Sequence, residues 1–333
     1  MQIIYPEYYK AFRCLASACP DSCCKEWAVD VDDASATFYR SLPGVLGDRL
    51  RQVLEDTEDG TIMTITDGRC PMWREDGLCR IQAELGHNAL CRTCQDFPRL
   101  RHDYGDFMEL GLELSCPEAA RLIFSSPAPK TVVESVPGGD DPEYDQEAMA
   151  ILQESRKLFL DFLDSETYSP GESLAILLLY CHGVQAELDG GESVDFDPED
   201  CLEKAKTLAK PGNLSSLYQF FSGLEILTES WQECLAAQPL QRKIDKSLRP
   251  FIRYMVQRYW LQTVSDLDLI CRVKYIIVAC LMVNSIGDNP ARTAQLFSKE
   301  IENDPDNVES ILSAAYTEPA FTDIHLLGLL LCP

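Results

Sequence analysis

Cysteine is the residue type that carries the chemistry in this sequence. The chain has fifteen cysteines, and nine of them lie within the first 116 of 333 residues. Cys14, Cys19, Cys23 and Cys24 form one group, C-x4-C-x3-C-C, and Cys70, Cys79, Cys91 and Cys94 form a second, C-x8-C-x11-C-x2-C, with Cys116 following alone. Closely spaced thiolates on turns or helix starts converge at little cost in loop closure, and a second group from a distant loop then completes a tetrahedral shell. The flanking residues fit that role. Asp67-Gly68-Arg69-Cys70 and Asp76-Gly77-Leu78-Cys79 place two cysteines just after turn signals, where backbone N–H groups are free to bond sulfur.

The competing uses of cysteine are weaker. A chain of this length can bury an ample core without disulfides, and the opening residues 1–10 (MQIIYPEYYK) are unlike a secretory signal, so a reduced, cytoplasmic protein is expected. The CxxC at Cys91–Cys94 has no βαβ surroundings of the kind a thioredoxin-like motif needs. Zinc and iron–sulfur both accept all-sulfur ligation, and spacing alone does not separate them. None of the four histidines stands at knuckle spacing, although His87 and His102 flank the second group. Neighbouring side chains diverge in extended backbone, so one of Cys23 and Cys24 is expected to point away from a centre shared by the two groups. Cys181, Cys201, Cys234, Cys271, Cys280 and Cys332 fall singly in helical patterns and read as small buried hydrophobes.

The elements that must position these thiols are short. The pattern predicts helices over 33–42, capped by Asp32 or Asp33, and over 45–55, then a β-rich run 61–66 and a turn at Asp67-Gly68. Short helices over 79–85 and 88–96, a strand over 107–114 and a helix opened by Pro117 complete the region. Residues 126–142 hold four prolines and two glycines and read as a linker or exposed loop. Beyond it, apolar residues recur at three- and four-residue spacing, as at Met149, Leu152, Leu158, Phe159 and Phe162, and again over 217–227. Further helices are predicted over 171–187, 198–209, 238–264, 267–286, 290–302 and 308–316. The expected architecture is mostly α: a cysteine-rich α+β metal-binding domain over 1–125, the linker, and an α-helical bundle over 143–333.

Twenty-nine basic and fifty-four acidic side chains leave a net charge of −25. That field repels phosphate backbones and anionic lipid, so neither nucleic acid nor a membrane is an expected partner. It concentrates cations, a substrate lysine or a sulfonium among them, and otherwise serves solubility. The longest apolar runs, 174–180 and 275–283, fall well short of the roughly 20 residues that cross a bilayer.

Five stretches together carry a resemblance: Tyr8-Tyr9-Lys10-Ala11-Phe12-Arg13-Cys14, Cys19-x3-Cys23-Cys24-Lys25-Glu26-Trp27, Arg69-Cys70-Pro71 with Leu78-Cys79, Cys94-Gln95-Asp96-Phe97-Pro98-Arg99, and Leu114-Ser115-Cys116-Pro117-Glu118-Ala119-Ala120. They resemble the flagellin lysine-N-methylase (FliB-like) family, itself similar to the CxxCxxCC proteins described as zinc- or iron-chelating. The resemblance covers about residues 1 to 125 and only the helical character of the rest. It implies S-adenosylmethionine-dependent methylation of flagellin lysines by a protein with a cysteine-ligated centre. The expected ligands are Cys14, Cys19, Cys23, Cys24, Cys70, Cys79 and Cys94, with Cys91 added from its CxxC. An iron–sulfur cluster, 4Fe-4S, is the expected group, and zinc is the alternative.

The residues themselves give no familiar donor pocket. Pro137-Gly138-Gly139-Asp140 and Asp189-Gly190-Gly191 open no βαβ unit, and the first cysteine group lacks the CxxxCxxC triplet of radical chemistry. Lysine methylation needs a group to take a proton from an amine of pKa about 10.4. Asp103, Tyr104, Asp106, Glu109 and Glu113 form the acidic-aromatic stretch nearest the cysteines, and an exposed strand face explains them equally well. The other class of function open to the sequence is a non-catalytic metal-binding or electron-transfer module.

Overall fold

The computed structural model describes residues 1–25, 27–237 and 239–332. Seven strands occur among them: β1 (Gln2–Pro6), β2 (Val29–Val31), β3 (Leu54–Thr57), β4 (Gly60–Met63), β5 (Arg99–Asp103), β6 (Phe107–Leu112) and β7 (Thr131–Ser135). They form a four-stranded sheet in the order β5-β6-β1-β7 and a three-stranded sheet in the order β2-β4-β3. β1 runs parallel to β6, with Gln2 opposite Phe107, and antiparallel to β7, with Gln2 opposite Ser135. The stretch 126–142, expected as a linker or exposed loop, therefore contributes an edge strand. Thr131-Val132-Val133 is β-branched throughout, and the prolines and glycines fall outside the strand.

The cysteine-rich region carries five short helices: α1 (Asp33–Ser41), α2 (Gly44–Val53), α3 (Arg80–Leu85), α4 (Arg92–Asp96) and α5 (Pro117–Phe124). Ten more follow: α6 (Gln146–Asp164), α7 (Pro170–Leu188), α8 (Pro198–Leu208), α9 (Leu214–Phe221), α10 (Glu229–Ala236), α11 (Arg249–Tyr259), α12 (Leu269–Ser285), α13 (Pro290–Phe297), α14 (Pro305–Thr317) and α15 (Asp323–Leu331). The protein is mostly α, as expected. α7 starts with Pro170 behind a Ser169/Glu172 capping box, which satisfies two of its free N–H groups. The helix expected over 238–264 begins at Gln238, outside the described residues. The described part holds α11, flanked by 3-10 turns at Lys246–Leu248 and Leu261–Ser265. The periodicity seen over 217–227 stops at Phe221, short of Leu224 and Leu227.

α7 and α12 pack together at the centre, with α6, α8, α14 and α15 around them. α12 is buried along nearly its whole length, so its charges are answered: Lys274 donates to the Ala315 carbonyl at 3.0 Å and pairs with Asp323, and Arg272 pairs with Asp266. The large apolar core runs from Phe159, Leu174, Phe251, Trp260 and Phe297 across to Tyr8, Phe12, Leu112, Leu114 and Cys116. It thus joins residues on both sides of the 126–142 stretch. A second, smaller core lies under the three-stranded sheet: Val29, Val31, Tyr39, Leu50, Met63, Met72 and Ile81, with Cys70 and Cys91 among them. Among the described residues no helix is long and apolar enough to cross a membrane.

Candidate functional site

The cysteines sit on the edge of the smaller core, and backbone pairing brings the two groups together. Asp67 and Gly68 both take positive φ, forming a two-residue turn closed by Thr66 and Arg69. The strand end leaving that turn bridges to the first group: Lys25 pairs with Arg69, and the Cys70 N–H donates to the Cys24 carbonyl at 2.9 Å. A second turn through Gly77, at φ +80°, lies against the backbone of Ser17. A Cβ there would stand 3.4 Å from the Ser17 Cα, and the left-handed conformation itself favours glycine. The Trp73–Cys79 bridge then delivers Cys79 to the start of α3.

Cys79, Cys91 and Cys116 each occupy the N-cap position of a helix, α3, α4 and α5 in turn. A cap sulfur lies beside N–H groups that have no partner within the helix, and N–H groups of Gln82, Cys94 and Ala119 favour the thiolates of Cys79, Cys91 and Cys116. Asp32 ties this arrangement to α1. Its carboxylate accepts from Ser35 N at 3.0 Å as the α1 cap and from Arg92 N at 2.9 Å beside Cys91. The Arg92 N–H and then the Ser35 N–H hold its carboxyl below the usual carboxylate range. Asp32→Ala is expected to cost about 1 kcal/mol at neutral pH. Because the folded-state pKa is depressed, the contribution is fully present above about pH 4 and is lost as the pH falls below that. Urea titrations of both proteins at pH 7 and pH 3 check this.

The thiols face two connected spaces. A small void of about 30 Å³ is lined by Cys23, Cys24, Cys70, Cys79, Cys91 and Cys94, with Val29, Tyr39, Met63 and Phe97. An adjoining cavity of about 720 Å³ is lined by Cys14, Cys19, Cys23, Cys24, Cys79, Cys94 and Cys116. Cys23, Cys24, Cys79 and Cys94 thus line both. Cys70 and Cys91 face only the void, and Cys14 and Cys19 only the wider cavity. Cys23 and Cys24 do not diverge as expected. They lie in a bend rather than a strand and line the same two spaces; the neighbouring Cys23 and Cys70 thiols hold the Cys24 thiol below the ordinary cysteine value, while the Cys70 thiol donates to the Met63 sulfur at 3.6 Å. The nearby Cys24 sulfur, together with burial, pushes Cys23 and Cys70 up. In the same way the neighbouring Cys94 thiol lowers Cys91 and is itself raised. Burial raises Cys19 and Cys79, and takes Cys116 to about 11.

The helical half holds this region from the far side. Gln295 of α13, nearly buried, donates to the Asp21 carboxylate at 3.0 Å and to the Ser115 carbonyl at 2.9 Å, clamping the first cysteine loop to the residue before Cys116. Lys299 approaches Asp21 at 3.4 Å and lines the wider cavity.

Cys116 belongs to the site although its isolation in sequence hid it. The available signal was Cys-Pro opening a helix, with cysteine at the cap. His87 lines the wider cavity, whereas His102 lies on the opposite side of Tyr8 and Phe12, in a different space. The five acidic-aromatic residues are dispersed. Asp103 accepts from the Gly105 N–H in a turn, Tyr104 stacks on Phe107, Asp106 accepts from the Tyr144 hydroxyl and Glu109 pairs with Arg156. Glu113 is half-buried, raised by desolvation and hydrogen-bonded by the Ser115 hydroxyl at 2.6 Å. Of the lone cysteines, Cys181, Cys271 and Cys280 are buried and Cys201 and Cys234 partly so, while Cys332 is exposed beyond the last turn of α15. Glu26, in the second resembling stretch, lies outside the described residues.

All fifteen cysteines are free thiols. Among the described residues no three His, Cys, Asp or Glu side chains are placed so as to hold a metal ion.

Fold and site together define a class: a mostly α protein in which a helical half clamps a small α+β region that gathers nine thiols around one pair of connected cavities. The chain is 32% identical over 129 residues to the flagellar biosynthetic protein FliU of Salmonella muenchen, a match covering 37% of this chain and 76% of that protein. It is 30% identical over 141 residues to lysine-N-methylases of Salmonella typhimurium and Salmonella choleraesuis, covering 39% of this chain and 35% of each relative. The chain belongs to the FliB-like lysine-N-methylase family. It matches about a third of the length of the lysine-N-methylases themselves. No family model and no solved structure matches it.

Proposed function

We propose that this chain N-methylates lysine side chains of flagellin, taking the methyl group from S-adenosylmethionine, and that its cysteines hold an iron–sulfur cluster, 4Fe-4S, beside the reacting groups. The observation that carries this reading is the meeting of thiols from four separate segments around a void that opens into a cavity large enough for a small molecule. The donor set is all sulfur, and two of the sulfurs, those of Cys24 and Cys91, are held toward the thiolate form in which cysteine binds metal. All-sulfur ligation suits an iron–sulfur cluster, and the thiols that line the void and the adjoining cavity supply that donor type. The residues fit such a group. When bound, it supplies Lewis acidity and electron-transfer chemistry.

The remaining residues have separable tasks. Phe12, Trp27 and Phe97 line the wider cavity and give a cationic methyl donor or a lysine stem aromatic surface. Transfer requires the lysine amine, freed of its proton, to attack the methyl carbon as the carbon–sulfur bond breaks. Asp21 is already held by Gln295 and Lys25, and Glu118 by both nitrogens of the Arg121 fork. His87 and Asp96, on the same cavity wall, are the side chains placed to take the proton.

Protein purified without oxygen is expected to be brown and to carry iron with acid-labile sulfide. Incubation with flagellin and a donor labelled on the methyl group is expected to label lysine. A colourless protein with stoichiometric zinc sinks the iron–sulfur part, and iron-loaded protein that transfers no label leaves a non-catalytic metal-binding module.

A further inference from the structure

β5 forms one edge of the four-stranded sheet, and among the described residues no strand pairs with its outer side. Its turn into β6 fixes which backbone groups lie on that edge. The Tyr104 N–H donates to the Phe107 carbonyl at 2.9 Å and the Glu113 N–H to the Pro98 carbonyl at 2.8 Å, on a register that sets Arg99 opposite Leu112 and Asp103 opposite Met108. In an antiparallel ladder alternate residues turn their N–H and C=O groups toward the partner strand. His102 and Leu100 therefore bond to β6, while Asp103, Arg101 and Arg99 turn theirs outward. Among the described residues no backbone hydrogen bond outside the ladder engages those three, and all three residues are exposed.

This open edge runs into the thiol cavity. Phe97, Pro98 and Arg99 line the wider cavity, and the Arg99 guanidinium lies 5.2 Å from the centre of the Phe12 ring, which lines it too. Arg101 stands two residues along, on the same face of the strand. In a chain of net charge −25, these two arginines have no ion-pair partner among the described residues. Asp103 is occupied in its turn, where it accepts from the Gly105 N–H at 3.0 Å. Charged side chains on an edge strand ordinarily keep other strands away. Here both are cationic, so the same charges that repel most strands admit an acidic one.

We propose that the outer edge of β5 takes up the protein substrate as an added strand, an extended segment whose acidic side chains lie against Arg99 and Arg101 and whose lysine reaches into the thiol cavity. The inference rests on the methylase reading and defines the kind of substrate segment it uses. Strand addition draws on main-chain hydrogen bonds that any sequence can make, and the arginines supply the selectivity. Because Arg99 itself lines the cavity, a lysine one or two residues past the position paired with it, about 3–7 Å along the strand, stands at the cavity.

Fluorescence anisotropy of dye-labelled short peptides with the full chain, purified without oxygen, tests this. In the probe peptide valine and glutamate alternate ahead of a single lysine. One control carries glutamine for each glutamate, and another carries methyl groups on its backbone nitrogens, which removes the strand-forming donors. The acidic probe is expected to bind at least tenfold more tightly than either control. Arg101→Glu is expected to weaken that binding at least tenfold while the thermal midpoint holds, and a peptide with arginine for glutamate should bind this variant more tightly than the parent. Arg101→Pro should lose more than Arg101→Gln, because proline also withdraws an outward N–H and leaves the bonds to β6 in place. Equal binding of the three peptides by the parent, or undiminished binding of the acidic probe by folded Arg101→Glu, overturns the inference. If flagellin lysine is still labelled through such a failure, the methylase reading stands without this edge. If the peptides sort in the expected order while no lysine is labelled, that reading falls and β5 remains a docking edge for acidic extended segments.

Discussion

Cys24→Ser is expected to abolish the iron and acid-labile sulfide that the proposed cluster brings. The Cys24 carbonyl accepts from the Cys70 N–H at 2.9 Å, tying the first sequence group to the second, and its sulfur lines both the void and the wider cavity. Serine keeps the shape but removes the soft ligand, and a shared centre tolerates the loss of no bridging member. Cys23→Ser and Cys79→Ser should behave alike, because those sulfurs also line both spaces. Cys234, partly buried on α10 far along the chain, is the control, and Cys234→Ser should keep the full iron and sulfide content. Iron and acid-labile sulfide, assayed after purification without oxygen, are the readout. Full metal in Cys79→Ser alongside none in Cys24→Ser would mean that the two groups serve different centres.

The second large effect is on stability and lies at Arg258. The Glu302 side chain is fully buried, and it accepts from Tyr259 at 2.8 Å and from Tyr254 at 3.1 Å with Arg258 alongside at 3.4 Å. Arg258 in turn donates to the Tyr254 hydroxyl at 2.5 Å and packs on the rings of Tyr254 and Tyr259. Removing one partner of such a pair leaves the other charge buried without compensation, so Arg258→Met is expected to cost about 3–5 kcal/mol. Adding Glu302→Gln removes the stranded charge and should return part of that loss. Urea denaturation of the single and double variants measures both, and a loss below about 1 kcal/mol, as for an exposed ion pair, would show that the network carries little.

Local signals in the sequence proved dependable where the physics is local. Asp32 caps α1 as expected, Asp67-Gly68 makes its turn, and Pro117 opens α5. Signals that depend on distant partners were misleading. β7 hides between prolines because its strand character is completed only by pairing with β1, more than a hundred residues away. Phe107 to Leu112 could be read as a strand, but its parallel pairing with the opening residues could not. The two cysteine groups were legible as groups. Cys116 was not, because the clamp that brings it in runs through Gln295, and nothing in the spacing around Cys116 points there.

The Gln295 clamp has a consequence for how the protein is made. During synthesis the N-terminal cysteines leave the ribosome first, yet β1 cannot complete its sheet until β6 and β7 have followed. Asp21 and Ser115 wait for α13, close to the end of the chain. At rates of about 5–20 residues per second, that interval exposes nine unprotected thiols for on the order of ten seconds or more. Long-range pairings of this kind form late, so the thiol cavity reaches its final shape as a closing event of folding. On the proposed reading, metal loading follows translation, and the form to be loaded is a chain kept reduced until α13 has emerged.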